Sequence, residues 1–205
     1  MKRTLSVLLL LGLILWSFAL QAGIYMEPLI GYGSGSHSQK AAGKTVSGAT
    51  TEGVVGGILG ISVGGIFLGA EALAGRGTYT RDATLLKPKL ASAQNFTDVS
   101  GILGMHFAGL PLRMWGGYSL EHKLYVDNLG HFEGNGFKVG IGYRIFNATY
   151  INVEYGMYTF SVFQDEIQPY RFTLPYILLG DTYDKKTINQ FIVSLSFPMT
   201  LFGSK

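Results

Sequence analysis

Ten ionisable side chains, Glu27, Glu71, Asp98, His106, Arg113, Glu121, Lys123, Lys138, Arg144 and Glu154, fall on the polar side of segments in which apolar and polar residues alternate. A period of two marks a strand with one apolar and one polar face. If those polar faces turn inward together, charges of both signs crowd a small space. Buried charge is tolerated when it is paired and hydrogen-bonded, so the expected chemistry is an ion-pair network. The turns place some of its members. His106 and Arg113 face each other across the tight connection Ala108–Pro111, near the level at which Glu27 enters. Arg144 lies almost opposite Asn152 across Asn147-Ala148, within diagonal reach of Glu154.

Other chemistry finds little support. The chain has no cysteine, which excludes disulfides, thiolate metal sites and a cysteine nucleophile. Of the four histidines, His37 and His131 fall in connections, His106 on a polar face and His122 on an apolar one. No HExxH or comparable paired-ligand pattern is present. Ala42-Gly43-Lys44-Thr45 has the form of half a phosphate loop, but Ser38 holds its upstream glycine position and no helix follows. No catalytic, cofactor-binding or metal-ligating residue is assigned, and no cofactor is expected. Basic residues form no stripe with interleaved aromatics, so nucleic acid is not an expected partner.

The elements that must carry the ten residues are strands. Five segments alternate clearly, around Val99–Phe107, Leu112–Leu124, Phe137–Ile145, Tyr150–Met157 and Phe191–Leu201. Trp115 stands on the polar face of the second of these. Three more, around Ile24–Tyr32, Glu52–Gly64 and Ile66–Thr80, alternate weakly, which makes eight strands. Long connections (Ser34–Thr51, Arg81–Gln94, Val126–Asn135, Gln164–Lys186) alternate with short ones (Gly64-Gly65, Ala108–Pro111, Asn147-Ala148). A globular sandwich has no reason for that order; a transmembrane β-barrel has, with short turns on one side and long loops on the other. The rival reading is a transmembrane helix over Gly53–Ala70, which is free of charge and carries Gly56, Gly60 and Gly64 at four-residue spacing. One helix would leave the five amphipathic strands without partners.

Composition agrees with a membrane setting. Only 14% of the 205 residues are charged, 47% are hydrophobic and 29 are glycine; an average soluble domain carries roughly 25% charge. Lys2-Arg3, the apolar run Leu5–Leu20 and the small residue Ala22 form the pattern of a cleaved signal peptide over residues 1–22. Its removal leaves fourteen basic against thirteen acidic residues, so the mature chain, 23–205, is close to neutral.

Signal peptide, eight amphipathic strands, alternating loop lengths and the terminal Phe197-Pro198-Met199-Thr200-Leu201-Phe202 resemble the small outer-membrane barrels of the OmpA-like and OmpX-like type. Those barrels end on an aromatic, whereas Gly203-Ser204-Lys205 follow it here. The resemblance implies an all-β, antiparallel up-and-down barrel of eight strands in the bacterial outer membrane. It also implies insertion by the barrel-assembly machinery and contact with outer-membrane lipid and lipopolysaccharide. Aromatic girdles are expected from Tyr79, Tyr125, Phe137, Tyr158, Phe160 and Phe163 at one interface, and from Tyr143, Phe146, Tyr150 and Phe202 at the other. An eight-stranded lumen is filled by side chains, so the ten ionisable residues would plug it. The function then expected is structural, or an interaction with an extracellular ligand through the loops. Tyr170, Phe172, Tyr176, Ile177, Leu178 and Leu179 make the last loop unusually apolar and a possible binding surface. The alternatives are a narrow conduit for small or apolar solutes, of the OmpW-like kind, and a lipid-A-modifying enzyme using His122.

Overall fold

The computed structural model describes residues 22–41, 44–82, 89–165, 171–174, 176–178, 181–183 and 185–201. The proposed signal peptide, apart from Ala22, lies outside them. Seven long strands follow one another: β1 (Gly23–Ala41), β2 (Lys44–Val63), β3 (Ile66–Arg81), β4 (Leu90–His106), β5 (Leu112–Val126), β6 (Gly130–Phe146) and β7 (Thr149–Asp165). Three short ones, β8 (Arg171–Thr173), β9 (Tyr176–Leu178) and β10 (Asp181–Tyr183), precede the eighth long strand, β11 (Lys186–Ser196), and its continuation β12 (Met199–Thr200). The long strands pair antiparallel with their chain neighbours, and β11 and β12 pair with β1, which closes the ring. No helix occurs among the described residues, and Gly53–Ala70 lies in the β2–β3 hairpin. That hairpin turns through Gly64 and Gly65 at φ +56° and +89°, the left-handed geometry a two-residue hairpin turn requires.

The register fixes the barrel's shape. Starting at Met26, the ladder runs through Leu59, Ala70, Gly101, Tyr118, Phe137, Met157 and Asn189 and returns to β1 at Ser36, ten residues further along. Eight strands with that stagger tilt by about 40° around a cylinder of roughly 8 Å radius at ordinary strand spacing. Closure leaves no sheet edge over the spanning part, as a bilayer demands.

Seen from outside, every long strand changes character along its length. Outward residues are apolar near the short turns and polar beyond a definite point. The change falls between Tyr32 and Ser34, Val55 and Thr51, Ala74 and Arg76, and Val99 and Thr97. On the other strands it lies between Leu120 and Glu121, Phe137 and Asn135, Met157 and Thr159, and Phe191 and Asn189. The ladder climbs slightly more than one residue per strand; with that climb removed, all eight changes lie within about two residues of one plane. On β1 the apolar stretch from Ile24 to Tyr32 rises about 22 Å along the axis, close to the ~25 Å apolar band of such barrels.

Above the plane the strands continue where loops were expected. The polar stretch Ser34–Thr51 is strand up to Ala41 and again from Lys44, and β4 and β6 begin well before Gln94 and Asn135. These extensions form a crown about 20 Å tall at the usual rise per tilted residue. Crown strands are polar outside and apolar inside, with Tyr79, Phe96, Leu124, Val126, Phe132, Tyr158, Phe160 and Ile188 in one buried cluster. The girdle expectation is corrected accordingly: Tyr79, Tyr158, Phe160 and Tyr150 face the interior. Among the described residues the outward aromatics at the plane are Tyr32, Tyr118, Phe137, Tyr155 and Phe191, and Phe202 lies outside the described residues.

Candidate functional site

The interior holds the chemistry, in layers. Nearest the short turns, Arg113 on β5 is the hub. Its guanidinium is bidentate to the carboxylate of Glu27 on β1. It also donates to the Tyr25 hydroxyl at 2.9 Å, to Asn152 Oδ1 at 2.7 Å and to Ser196 Oγ at 2.9 Å. Its cationic plane lies 4.5 Å from the Tyr150 ring centroid and 5.1 Å from that of Trp115. Gly142 makes the room: a Cβ there would stand 2.5 Å from Asn152 Oδ1 and 2.7 Å from Arg113 Nε. His106, opposite Arg113 in the ladder, is half-buried among Tyr25, Phe67 and Tyr150.

The middle layer is centred on Lys138 of β6. Its ammonium donates to Glu71 on β3 and lies 2.9 Å from Asp98 Oδ2 on β4 and 3.3 Å from Glu154 Oε1 on β7. All four are buried. Asp98 is saturated by Ser100 Oγ at 2.6 Å, by the Ser119 hydroxyl and by His122 Nδ1 at 3.2 Å. The Trp115 indole donates to Glu154 Oε2 at 3.0 Å. That indole fits because Gly140 faces it; a Cβ at 140 would meet the ring at 2.2 Å. One cation thus serves three carboxylates; two hydroxyls and an imidazole complete Asp98, an indole serves one oxygen of Glu154, and Glu71 relies on Lys138.

At the plane, Glu52 of β2 accepts hydrogen bonds from the amides of Gln94 and Gln190. Higher still, Lys186 of β11 is buried with no carboxylate in ion-pair range among the described residues. It donates to the Tyr79 hydroxyl at 2.8 Å, and its ammonium sits 4.3 Å and 4.1 Å from the Tyr79 and Phe132 ring centroids. Such cation–π contacts partly replace lost hydration. His37 stacks on Tyr79 at 4.4 Å. Side chains therefore fill the bore from the Arg113 layer up into the crown.

Of the ten proposed network residues, Glu27, Glu71, Asp98, Arg113, Lys138 and Glu154 meet as buried partners and His106 lines the lower end. Three do not. Glu121 and Lys123 face outward as an exposed pair at 2.7 Å. A β-bulge between Ser119 and His122 inserts an extra residue and exchanges the faces of β5 above it. The same bulge turns His122 inward onto Asp98, stacked on Tyr158 at 4.0 Å. That overturns its placement on the lipid-facing wall and removes the residue on which lipid-A chemistry rested. Arg144 is exposed at the β6–β7 turn opposite Tyr150, so it does not reach Glu154. Sequence reasoning did not assign Glu52, Gln94, His122 or Lys186 to the interior, whereas Tyr25 and Gln190 stood on the polar faces of their strands without being counted in the network. Trp115 on a polar face was the visible signal that a large ring enters the lumen.

For the proposed last-loop surface, β8 lies against β7 with Phe172, half-buried, opposite Phe163. The β9–β10 hairpin joins the crown through Ala41↔Tyr183. Tyr170 and Leu179, and the side chains of Tyr176, Ile177 and Leu178, lie outside the described residues.

No family model matches the sequence, and no curated protein matches it either. Solved structures do share the fold. The outer membrane protein OprG from Pseudomonas aeruginosa superposes with a TM-score of 0.50 at 12% identity, over 88% of this chain and 97% of that one. Ail, the attachment invasion locus protein of Yersinia pestis, superposes with a TM-score of 0.51 at 7% identity, over 86% and 99%. The chain is an eight-stranded transmembrane barrel of the outer-membrane type.

Proposed function

We propose that the protein is a non-conducting, non-catalytic outer-membrane barrel that displays its crown for interaction at the cell surface. One observation carries this reading. The bore is filled by the Arg113–Glu27 layer, the Lys138 layer, the Glu52 amide pair and the aromatic cluster of the crown, in series. Breaking any buried pair of this kind leaves an uncompensated charge, so the plug resists opening. The crown, in turn, spends nearly half of β1 and β2 beyond the membrane on a rigid, side-chain-packed scaffold. Rigid scaffolds that hold loops away from a surface suit recognition. A signal peptide over residues 1–22 and delivery through the barrel-assembly machinery complete this reading.

The test is single-channel recording of the refolded chain in planar bilayers. The expected trace is flat. Steady ohmic steps would overturn the plug and favour a narrow conduit for small solutes.

A further inference from the structure

The interior of the crown holds positive charge with nothing to balance it. Lys186 of β11 is buried, and Arg81 of β3 is half-buried two residues beyond Tyr79 on the same inward face. Neither has a carboxylate in ion-pair range among the described residues. The inward carboxylate of Glu52 belongs to the plane below and is taken up by Gln94 and Gln190. A buried cation without a counter-ion costs stability, and an apolar residue of similar shape would serve the packing at least as well. Charges retained on such terms call for an anion that arrives from outside.

Donors without acceptors converge at the same level. The Lys186 ammonium donates to the Tyr79 hydroxyl at 2.8 Å, which leaves two of its three N–H groups over. That hydroxyl, accepting from Lys186, has no acceptor for its own proton among the described residues. Arg81 Nε is buried without an acceptor, and so is the hydroxyl of Thr50, the β2 ladder partner of Tyr79. His37 holds the group in place without joining it: its ring stacks on Tyr79 at 4.4 Å and its Nε2–H donates to the Thr80 carbonyl at 2.8 Å. Burial and the nearby Lys186 charge push its pKa down to about 3, so it stays neutral. The layer above is half-buried rather than closed, with Arg81 beside Leu90 and Ser92 of β4, so this level is reached from the mouth.

We propose that the crown mouth is an anion site in which Lys186 and Arg81, with the hydroxyls of Tyr79 and Thr50, bind a phosphate or sulfate ester. Two positive charges match a dianion, and the guanidinium fork fits oxyanions of this kind. Donors from three strands suit a tetrahedral group better than the two oxygens of a carboxylate. The site deepens the reading of the crown as the interaction surface, and rests on it. Binding should also take up a proton. Burial, and then the charge of Arg81, push the Lys186 ammonium well below the usual lysine range, and an anion restores its charged form. Facing it are Tyr79 and Arg81 of β3 and His37 of β1, while Thr50, Phe132 and Phe160 from β2, β6 and β7 carry no charge.

The experiment is isothermal titration calorimetry of the refolded barrel in detergent at constant ionic strength, with sodium sulfate, sodium phosphate and sodium acetate as separate titrants. Wild type should bind one sulfate or phosphate per chain and no acetate; the tighter of the two identifies the ester. Lys186→Met and Arg81→Gln should each weaken binding about tenfold or more, the scale of a lost charge-assisted bond. Lys123→Gln, on the outer face, should behave as wild type, and heat-dependent gel mobility confirms that each variant has folded. Sulfate has no titrating proton near neutrality, so proton uptake, read by repeating the titration in buffers of different ionisation enthalpy, belongs to the protein. Wild type should take up a proton with sulfate and bind it more weakly as pH rises; Lys186→Met should take up none. Equal binding by wild type and Lys186→Met, equal binding of acetate, or no saturable binding would overturn the site. Such a failure leaves flat single-channel traces untouched, and conducting steps would leave anion binding untouched, so the two readings fail separately.

Discussion

Replacing Lys138 by methionine isolates the energetics of the plug. Methionine preserves the length of the stem and removes the ammonium, so three buried carboxylates lose their shared cation. The loss is unequal. Asp98 keeps two hydroxyls and His122, and Glu154 keeps the Trp115 indole. Glu71 is left with no hydrogen-bond donor or cation in range among the described residues. Removing one member of a buried ion pair costs about 3–5 kcal/mol. With a urea m-value of about 2 kcal/mol/M, the unfolding midpoint should fall by roughly 2 M. In a chain beginning at Gly23, Trp115 is the single tryptophan, and it touches the network through Glu154, so its fluorescence reports on this layer directly. Glu71→Gln in the Lys138→Met background should recover about half the loss, because it neutralises the carboxylate that lost most. The resulting cycle should show a coupling of about 2 kcal/mol. A midpoint unchanged by Lys138→Met, or two substitutions that simply add, would refute the shared-cation account.

Further substitutions separate interior from exterior in the same unfolding assay. Arg113→Met should cost about 3–5 kcal/mol, since Glu27 loses its bidentate partner, whereas Arg144→Ala, exposed at the turn, should leave the midpoint where it is. Lys123→Met should likewise leave the midpoint unchanged; a large fall would place Lys123 in the lumen after all. Gly140→Ala puts a methyl into the Trp115 ring and should cost about 1–3 kcal/mol with a shift in the emission maximum. Lys186→Met removes a buried cation that has no carboxylate, so the midpoint should hold or rise; a fall of more than about 1 kcal/mol would show that its aromatic cage outweighs its desolvation.

How far the sequence could be read depended on which side of the membrane plane a residue occupies. Below the plane, outward residues meet lipid and inward residues meet one another, so hydrophobic alternation marks every strand. Eight strands, the turns at Gly64-Gly65 and Asn147-Ala148, and six of the network's charges followed from that pattern. The Glu27–Arg113 meeting was legible too, because the Ala108–Pro111 turn fixes Arg113 at the short-turn end of the lumen, the level at which Glu27 enters on β1. Arg144 failed for a related reason: the irregularity between Arg144 and Phe146 ends the regular ladder just before the turn. Glu121 and Lys123 failed because a single inserted residue exchanges faces, and nothing in Leu120-Glu121-His122 announces a bulge.

Above the plane the rule inverts. Water takes the place of lipid, so the outward face becomes serine, threonine and lysine and the inward face becomes aromatic. On β7, Val153 and Met157 face out below the change, while Tyr158 and Phe160 face in above it. On β6 the same exchange separates Phe137 from Phe132. A search for continuous apolar-outward alternation therefore stops at the plane and mistakes the crown for loops, as it did across Ser34–Thr51. The inversion also explains why the bulge in β5 sits where it does. Leu120 is the last lipid-facing residue of that strand and Leu124 the first apolar residue of the crown's interior. One extra residue between them lets a single strand serve both solvents, which puts His122 onto Asp98 and couples the crown's packing to the charge layer below it. Deleting Leu120 or Glu121 should therefore disturb both layers at once, and it should quench the heat-dependent gel shift more severely than Arg144→Ala does.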